Sequence, residues 1–568
     1  MTGSAETLLS GLDEQQRVAA EALLGPVCIL AGAGTGKTRA ITHRIAYGVA
    51  TGAYPPNRVM ALTFTARAAS ELRTRLRQLG ATGVAARTFH AAALSQLNFF
   101  WPQVVGGQLP SILNSKGRLL ALAAESARIR TDTATLRDVA AEIEWRKVSG
   151  MSIDSYAASV AERGPIGSVS GEQLVELQRR YEVLKDERRQ FDFEDVLLAC
   201  TGMITAEPSV AMHVREQYRF FVVDEYQDVS PIQQQLLDAW LGDRTDLCVV
   251  GDASQTIYSF AGARADYLLD FGRRYANAAV VRLEQNYRST APIVELANRL
   301  VRNQPGALML RASADSGGGV VPQFSAFTSD AEEAREVARS VAAEIASGRS
   351  PEDIAILFRV NAQSAVFETA LQDAGINFHV RGSVRYFDLP VVRRAVLALR
   401  GAAVSISGEP LFKSVSDVLR SMGWSAQPPE QRGARREEWE SLNAIMDLVD
   451  QAPDDTTFRA FTDDLLERQA GSHEPAVRAV TLATLHSAKG LEWDSVYLVG
   501  VNEGLLPISY ATTAPQLAEE RRLMYVGLTR AKQRVQLSWS EGTDRKRAQV
   551  PSRFLADLGT RTPDAGGA

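Results

Sequence analysis

Cysteine is scarce in this chain, and the three that occur, Cys28, Cys200 and Cys248, form no CxxC pair. They support neither a zinc knuckle nor a disulfide framework, so a reducing compartment fits best. Long apolar runs are missing too, since no uninterrupted stretch reaches the roughly 20 apolar residues that a membrane span needs. Residues 1–11 lack the basic and then apolar pattern of a secretory leader. We therefore expect a cytoplasmic protein with no membrane partner.

An excess of basic residues is also absent. Lys and Arg number 62 against 67 Asp and Glu, which gives a net charge of −5. Bulk charge therefore does not indicate nucleic-acid binding, and any such binding must use a local groove. The 568 residues, 45% of them hydrophobic, predict about four folding units of ordinary globular composition.

Short apolar runs rich in Val, Ile and Phe recur between longer amphipathic segments, a pattern typical of a parallel α/β fold. The runs are residues 27–30, 59–64, 220–223, 247–250, 323–327, 354–358, 480–485, 496–499 and 535–538. Two stretches break the pattern with helical spacing. They are residues 91–200, with segments 116–130, 135–148 and 172–196, and residues 391–474.

A glycine-rich turn follows the first apolar run. The segment CILAGAGTGKT, from Cys28 to Thr38, leaves a predicted strand and enters a helix near Lys37. This geometry cradles phosphates, because backbone amides of the turn and the helix N-terminus point at the anion. Lys37 can reach the β- and γ-phosphates and the Thr38 hydroxyl can take one Mg²⁺ position. Ala31 stands where the strict pattern has Gly. The turn residues expected at ATP are Ala33, Gly34, Thr35 and Gly36.

A second carboxylate set follows another apolar run, at Asp224 and Glu225. A hydrolytic phosphate-loop site needs such a pair at the end of a neighbouring strand. We expect Asp224 to hold Mg²⁺ through water and Glu225 to polarise the attacking water.

These segments stand in an order that resembles the UvrD/PcrA/Rep class of superfamily 1 DNA helicases. The matching segments are LDEQQ at 12–16, AGAGTGKTR at 31–39, LTFT at 62–65, TFH at 88–90, DFED at 192–195, VDEYQD at 223–228, GDASQTIYSFAGA at 251–263, LEQNYR at 283–288, TLHSAKGLE at 484–492 and YVGLTR at 525–530. The resemblance spans nearly the whole chain outside the two helical stretches.

The resemblance implies roles at ATP beyond the phosphate loop. Gln16 is expected to read the adenine, and Arg39 and Tyr287 to flank its ring. Gln255 is expected to sense the γ-phosphate, and Glu492 to lie at the nucleotide.

Arg288 and Arg530 are expected to act as arginine fingers. Taken alone, each of these two arginines could be a salt-bridged surface residue, and Tyr287 a core ring.

The resemblance also implies a groove for single-stranded DNA. Phe64, Tyr258 and Phe260 are expected to stack on bases, which tolerates any sequence because every base has a π face. Phe64 and Phe260 could equally be core residues. The further expected contacts are Thr63, Thr88, His90, Arg359 and Asn361.

The implied fold is α/β, with two RecA-like P-loop NTPase lobes that are each interrupted by a mainly helical subdomain. The expected boundaries are 1–92 and 201–285 for the first lobe, 93–200 for its insertion, 286–390 and 475–560 for the second lobe, 391–474 for its shorter insertion, and 561–568 for a tail or linker.

The implied activity is a bacterial ATP-dependent helicase, with Mg²⁺, that moves 3′ to 5′ on single strands and unwinds tailed duplex DNA in repair or replication. Departures include Ala66, Ala261, Arg381, Leu389 and the short second insertion. Grip on the duplex would then depend on a DNA-repair protein partner or a further C-terminal domain. Two alternatives remain: a single-strand-dependent translocase that displaces proteins but unwinds poorly alone, and a nucleotide-dependent binding switch.

Overall fold

The structure is a computed structural model. It describes residues 2–131, 133–166, 169–360, 363–381, 390–403, 409–427, 439, 441–443, 445–446, 448–449, 452, 456–471, 478–541 and 549–559. The chain divides into two compact units, Met1–Asn286 with Asn303–Met309, and Tyr287–Arg302 with Leu310–Ala568. Within the described ranges, no helix combines the length and the apolar character that crossing a membrane requires.

The first unit alternates strands and helices. Its strands are β1 (Val27–Ala31), β2 (Val59–Thr63), β3 (Ala85–Thr88), β4 (Ser111–Ile112), β5 (Gln190–Phe191), β6 (Phe220–Val223), β7 (Leu247–Gly251), β8 (Ala279–Leu283) and β9 (Gln285–Asn286). Its helices are α1 (Thr2–Leu9), α2 (Glu14–Glu21), α3 (Lys37–Ala50), α4 (Ala66–Gln78), α5 (Phe89–Val104), α6 (Gly117–Ser126), α7 (Thr133–Val148), α8 (Ile153–Arg163), α9 (Gly171–Glu187), α10 (Phe193–Ala206), α11 (Pro208–Gln217), α12 (Pro231–Leu241), α13 (Asp266–Leu269) and α14 (Phe271–Arg274).

The main sheet of this unit has the order β3-β2-β6-β7-β1-β8, and all its strand pairs are parallel. Successive residues of a strand enter two different cores, as Cys28 and Ile29 of β1 do. Both faces are therefore covered, which is why the strands read as continuous apolar runs rather than alternating ones. The cysteines are buried thiols of these cores, and burial raises the pKa of Cys28 and of Cys200 to about 12.

The second unit repeats the α/β arrangement. Its strands are β10 (Arg311–Ala312), β11 (Gln323–Phe327), β12 (Ile354–Phe358), β13 (Phe378–Arg381), β14 (Val480–Thr484), β15 (Trp493–Leu498) and β16 (Ala531–Ser540). Its helices are α15 (Ala291–Val301), α16 (Asp330–Ala346), α17 (Ser364–Asp373), α18 (Pro390–Ala402), α19 (Leu411–Ser421), α20 (Phe458–Gly471), α21 (Ala514–Leu528) and α22 (Phe554–Asp557). The sheet order is β11-β16-β15-β12-β14-β13, again with parallel pairs throughout. The predicted α/β class with two parallel sheets is confirmed.

Each unit also contains a separate helical core. In the first unit, α6 to α9 pack around residues such as Leu120, Ile143 and Tyr181. In the second, the described parts of 391–466 pack around residues such as Val396 and Leu465. Helices α5 and α10, in contrast, pack on the main sheet of the first unit.

Two details differ from the sequence interpretation. The segment 172–196 is not one helix but α9 and α10 with β5 between them, and Arg189 turns the chain there with φ 51°. The apolar runs of the sequence do not predict strands β3, β8 and β13. All three lie at an edge of their sheet, and β3 (AART) and β13 (FHVR) carry polar residues there. The four-part domain division stays a prediction, and its tail at 561–568 lies outside the described residues.

A buried ion network joins helices α7 and α9 to the start of α10. The ammonium groups of Lys147 (α7) and Lys185 (α9) are each 2% exposed, and both contact Asp192 and Asp195. Lys147 Nζ lies 2.7 Å from Asp192 Oδ2. Asp192 and Asp195 also form the capping box at the start of α10. Burial would raise the pKa of Asp192, but Lys147 and Lys185 overcome it and lower the pKa well below its usual range.

We expect Lys147→Met to destabilise this junction by about 3–5 kcal/mol, because it removes one of the two ammonium groups that neutralise the buried carboxylates. Amide hydrogen exchange along α9 and α10 in the intact chain measures the loss locally. The matched control is Arg180→Met on α9, which removes an exposed ion pair with Glu176 and should cost less than about 1 kcal/mol. Equal destabilisation by Lys147→Met and Arg180→Met would contradict the conclusion that the buried ion network stabilises this junction.

Candidate nucleotide site and nucleic-acid interface

The candidate nucleotide site lies at the carboxyl edge of the sheet in the first unit. Because β1, β6 and β7 are parallel neighbours, the segments that follow them meet at one edge. These are the glycine-rich turn after β1, Asp224 and Glu225 after β6, and Asp252 after β7. Ligands of open α/β sheets bind at this kind of edge.

The turn after β1 has the backbone of a phosphate cradle. Gly34 and Gly36 have φ 70° and 77°, values that favour glycine. Helix α3 begins at Lys37, and no side chain caps it at Gly36. Its first amides can therefore serve an anion. A side chain at Gly36 would also collide, since its Cβ would lie 2.7 Å from Gln16 Nε2.

Two buried amides brace the turn from outside. Gln16, 2% exposed, donates from Nε2 to the Thr35 carbonyl at 3.0 Å. Asn286 donates from Nδ2 to the Ala33 carbonyl at 2.7 Å. The sequence interpretation gave Asn286 no role, although it stands inside the LEQNYR segment. Both bonds hold the cradle in shape before any ligand binds.

The cationic residues of the turn differ in burial. Lys37 is half-buried, and its Nζ lies 3.5 Å from the Ala31 carbonyl. Its positive charge opposes the rise that burial causes in the pKa of Asp224 and of Asp252. Thr38 follows it in the first turn of α3, whereas Arg39 is exposed and donates to the Gly11 carbonyl.

The carboxylates at the strand ends are buried and crowded. Asp224 is 8% exposed, and burial together with the neighbouring charge of Glu225 raises its pKa to about 7. Burial also raises the pKa of Asp252, which is 2% exposed. Such groups favour a nearby cation. The donor set, a buried carboxylate beside a hydroxyl and a phosphate cradle, therefore fits Mg²⁺.

Gln227 links the two strand ends, and the sequence interpretation overlooked its role. It is fully buried. Its Nε2 donates to Glu225 Oε2 at 2.5 Å, and its Oε1 accepts from the Asp252 amide at 3.0 Å. Glu225 itself has φ 52°. This left-handed conformation is uncommon for a non-glycine residue, and such residues cluster at functional sites. Gln255 donates from Nε2 to Asp252 Oδ2 at 2.7 Å.

The remaining residues expected at ATP belong to the second unit. Arg288 donates to Glu492 Oε2 at 2.6 Å and to the Thr529 carbonyl at 3.2 Å. Glu492 also contacts Lys532, and the two cations lower its pKa although burial alone would raise it.

Arg530 is 2% exposed and donates to the carbonyls of Val526 and Leu491. Tyr287 is 46% exposed, so it is not a core ring.

The three aromatic residues expected at DNA form a cluster in the first unit. The rings of Phe64 and Tyr258 are nearly parallel, at 7°, with centroids 6.4 Å apart. Phe260 lies 6.1 Å from Tyr258 and is 65% exposed. Phe64 is 38% exposed. None of the three is a core residue, which settles the alternative that the sequence left open for Phe64 and Phe260.

The TFH segment lies at the start of α5. Thr88 caps the helix by accepting from the Ala91 amide. His90 stacks on Phe193, with centroids 3.7 Å apart, and burial lowers its pKa to about 4. His90 is therefore neutral at physiological pH and suits hydrogen bonding rather than charge pairing. Thr63 ends β2 and is buried.

One expected DNA contact, Arg359, lies at the end of a strand of the second sheet. Arg359 follows β12 and forms a bidentate pair with the buried Glu520, with Nη2 to Oε1 at 2.8 Å. A phosphate would have to compete with that carboxylate. Asn361 and Leu389 lie outside the described residues.

Comparison with protein families covers both units. Residues 12–276 match the UvrD/REP helicase N-terminal domain. Residues 281–427 and 410–542 match the UvrD-like helicase C-terminal domain.

Individual relatives match over nearly the full chain. The chain is 45% identical to the ATP-dependent DNA helicase UvrD2 of Mycobacterium tuberculosis, over 99% of this chain and 83% of the relative. It is 29% identical to DNA helicase II of Escherichia coli, over 97% of this chain and 88% of the relative. It is 28% identical to the ATP-dependent DNA helicase PcrA of Bacillus subtilis, over 97% and 86%. The chain therefore belongs to the UvrD/REP family of superfamily 1 DNA helicases.

Proposed function

We propose that this ATP-dependent DNA helicase moves 3′ to 5′ along single-stranded DNA and unwinds tailed duplexes in DNA repair or replication, in the bacterial cytoplasm. The observation that carries the proposal is the presence in one unit of two features. One is a braced phosphate cradle beside buried carboxylates, and the other is a cluster of three rings of which Phe64 and Phe260 are exposed. The polarity rests on the family resemblance. Membership of the family and the ordered motifs disfavour a pure binding switch.

In the proposed mechanism, the amides of the turn and Lys37 bind the phosphates of ATP. Asp224 and Thr38 would hold Mg²⁺, which supplies charge neutralisation on the phosphates. Glu225 orients and polarises the attacking water, while Gln227 fixes one of its carboxylate oxygens. A base that is held in place before the reaction loses little free energy in being oriented.

Further residues complete the proposed nucleotide site. Gln16 reads the adenine, Arg39 and Tyr287 flank it, and Gln255 senses the γ-phosphate. Arg288 and Arg530 stabilise the charge that develops on the transferred phosphoryl group. Glu492 positions Arg288 through the ion pair described above.

The proposed DNA groove uses stacking. Phe64, Tyr258 and Phe260 offer aromatic faces to bases. The further proposed contacts to the strand are Thr63, Thr88, His90, Arg359 and Asn361. We also propose that the short second insertion, 391–474, makes unwinding dependent on a DNA-repair protein partner.

Strand displacement tests the proposal. Duplexes with a 3′ tail, a 5′ tail or no tail are mixed with the chain and ATP. Release of the 3′-tailed duplex alone supports the assigned polarity, whereas release of the 5′-tailed duplex alone would overturn it. DNA-stimulated ATP turnover without strand release would favour the translocase alternative, and unstimulated turnover would favour the switch.

Glu225→Gln should keep ATP binding but reduce turnover by at least about 100-fold, since an amide cannot accept the proton of water. Binding of a fluorescent nucleotide and steady-state hydrolysis with DNA present measure the two effects. The control is Glu216→Gln, the same change at an exposed carboxylate of α11. Hydrolysis at the unmodified rate would remove Glu225 from the mechanism.

Arg288→Ala should lower turnover far more than ATP affinity, because a finger contributes most where charge develops in the transition state. Both quantities are measured on one preparation. Arg299→Ala serves as control, since Arg299 forms an exposed ion pair with Glu295 in the same unit. Equal losses of turnover and affinity would mean that Arg288 only binds the substrate.

Phe64→Ala and Tyr258→Ala should each weaken single-strand binding by about 1–3 kcal/mol and leave its salt dependence nearly unchanged. The slope counts phosphate contacts, and stacking contributes none. Salt titrations with a homopolymeric strand measure both. ATP binding without DNA should survive, and its loss would place these rings in the nucleotide site.

A further inference from the structure

A group of arginines lies on two elements of the first unit, α4 and β3, that adjoin proposed DNA contacts in the chain. Arg73 and Arg77 are exposed and stand four residues apart on α4, so they share one side of the helix. Arg87 is half-buried on β3, the edge strand of the sheet. Arg73 donates from Nη1 to the Ala86 carbonyl of β3 at 2.7 Å, which brings α4 and the edge strand together at this point. We call Arg73, Arg77 and Arg87 the edge arginines.

The edge arginines lack acidic partners. Within the described residues, no carboxylate forms an ion pair with any of their guanidinium groups. The neighbouring Arg75 differs, because it pairs with Glu71 one turn earlier. Burial, and then the charges of Arg77 and Arg87, lower the pKa of Arg73. Arg77 and Arg87 therefore each repel the charge of Arg73, and a bound anion would relieve that repulsion.

Such a concentration is unusual in a chain of net charge −5. Helix α4 alone carries four arginines and one glutamate. Many surface arginines of this chain pair with a carboxylate, as Arg17, Arg180 and Arg299 do. An unneutralised cluster at one edge is the local basic surface that nucleic-acid binding requires when bulk charge does not supply it.

The position of the edge arginines in the chain indicates which anion they would bind. Helix α4 begins two residues after Phe64, and Arg87 directly precedes Thr88. Both elements that carry the edge arginines thus connect covalently to proposed DNA contacts. At about 1.5 Å per helical residue, Arg77 lies about 16 Å along α4 from its start. The basic surface therefore extends away from the rings along the sheet edge.

We propose that the edge arginines bind the backbone phosphates of single-stranded DNA beyond the nucleotides that stack on the aromatic cluster. A strand is favoured over an acidic protein because both elements that carry the arginines adjoin proposed DNA contacts in the chain. Guanidinium groups bind phosphate oxygens through two N–H groups at once, and such contacts carry no sequence preference. The inference rests on the proposed DNA groove and adds a second, electrostatic part to it.

The test uses the double variant Arg77→Gln/Arg87→Gln, which leaves the bond from Arg73 to Ala86 intact. Affinity is measured against salt concentration for thymidine homopolymers of increasing length. With long strands we expect the slope of log affinity against log salt to become less negative by about 1.4, which is about 0.7 for each phosphate that is no longer neutralised. With the shortest strands that bind, affinity and slope should match those of the unmodified protein.

The matched control is Arg75→Gln, which removes one charge from the same helix at a paired residue and should alter the slope on long strands by less than half as much. An unchanged slope of the double variant on long strands would overturn the proposal. So would an effect confined to blunt duplexes, which would assign the cluster to double-stranded DNA. Phe64→Ala separates the two ideas: it should weaken binding at every strand length, and normal binding by that variant would refute the stacking groove while leaving the arginine result readable.

Discussion

Parallel pairing is the constraint on which the candidate site depends. Since every strand of the first sheet runs the same way, the cradle after β1 and the carboxylates after β6 and β7 must end at one edge. Gln227 then converts proximity into a fixed geometry, because its buried amide bonds both Glu225 and the Asp252 backbone. A buried amide with both ends satisfied resists displacement, as an unmade bond there would cost about 1–3 kcal/mol.

The first unit stabilises buried carboxylates in two contrasting ways. In the helical insertion, Lys147 and Lys185 neutralise Asp192 permanently and lower its pKa. At the strand edge, burial and the charge of Glu225 raise the pKa of Asp224 to about 7, and Lys37 and the Glu225 amide compensate only in part. The first arrangement is a structural junction. The second leaves Asp224 with the raised pKa of a buried carboxylate, a property typical of functional sites.

The loop after β7 connects the two proposed activities. Asp252 and Gln255 stand at the nucleotide side, and Tyr258 and Phe260 follow within the same short segment. Under the proposed roles, a change in the hydrogen bond between Gln255 and Asp252 could move the ring of Tyr258, because only Thr256 and Ile257 separate Gln255 from Tyr258. The coupling between hydrolysis and base stacking thus needs no long pathway inside this unit.

The sequence by itself determined the fold class, because apolar runs define parallel strands. It also indicated the candidate nucleotide site, because the residues of the cradle, of the Asp224–Glu225 pair and of each ordered motif are contiguous in the chain. Tertiary structure alone decided what depends on distant partners. Gln227 and Asn286 acquire their bracing roles only when separate strand ends meet. Phe64 emerges as an exposed ring rather than a core one, and Arg359 is engaged by Glu520, 161 residues away. Burial and pairing are set by what packs against a residue, and no local pattern encodes that neighbour.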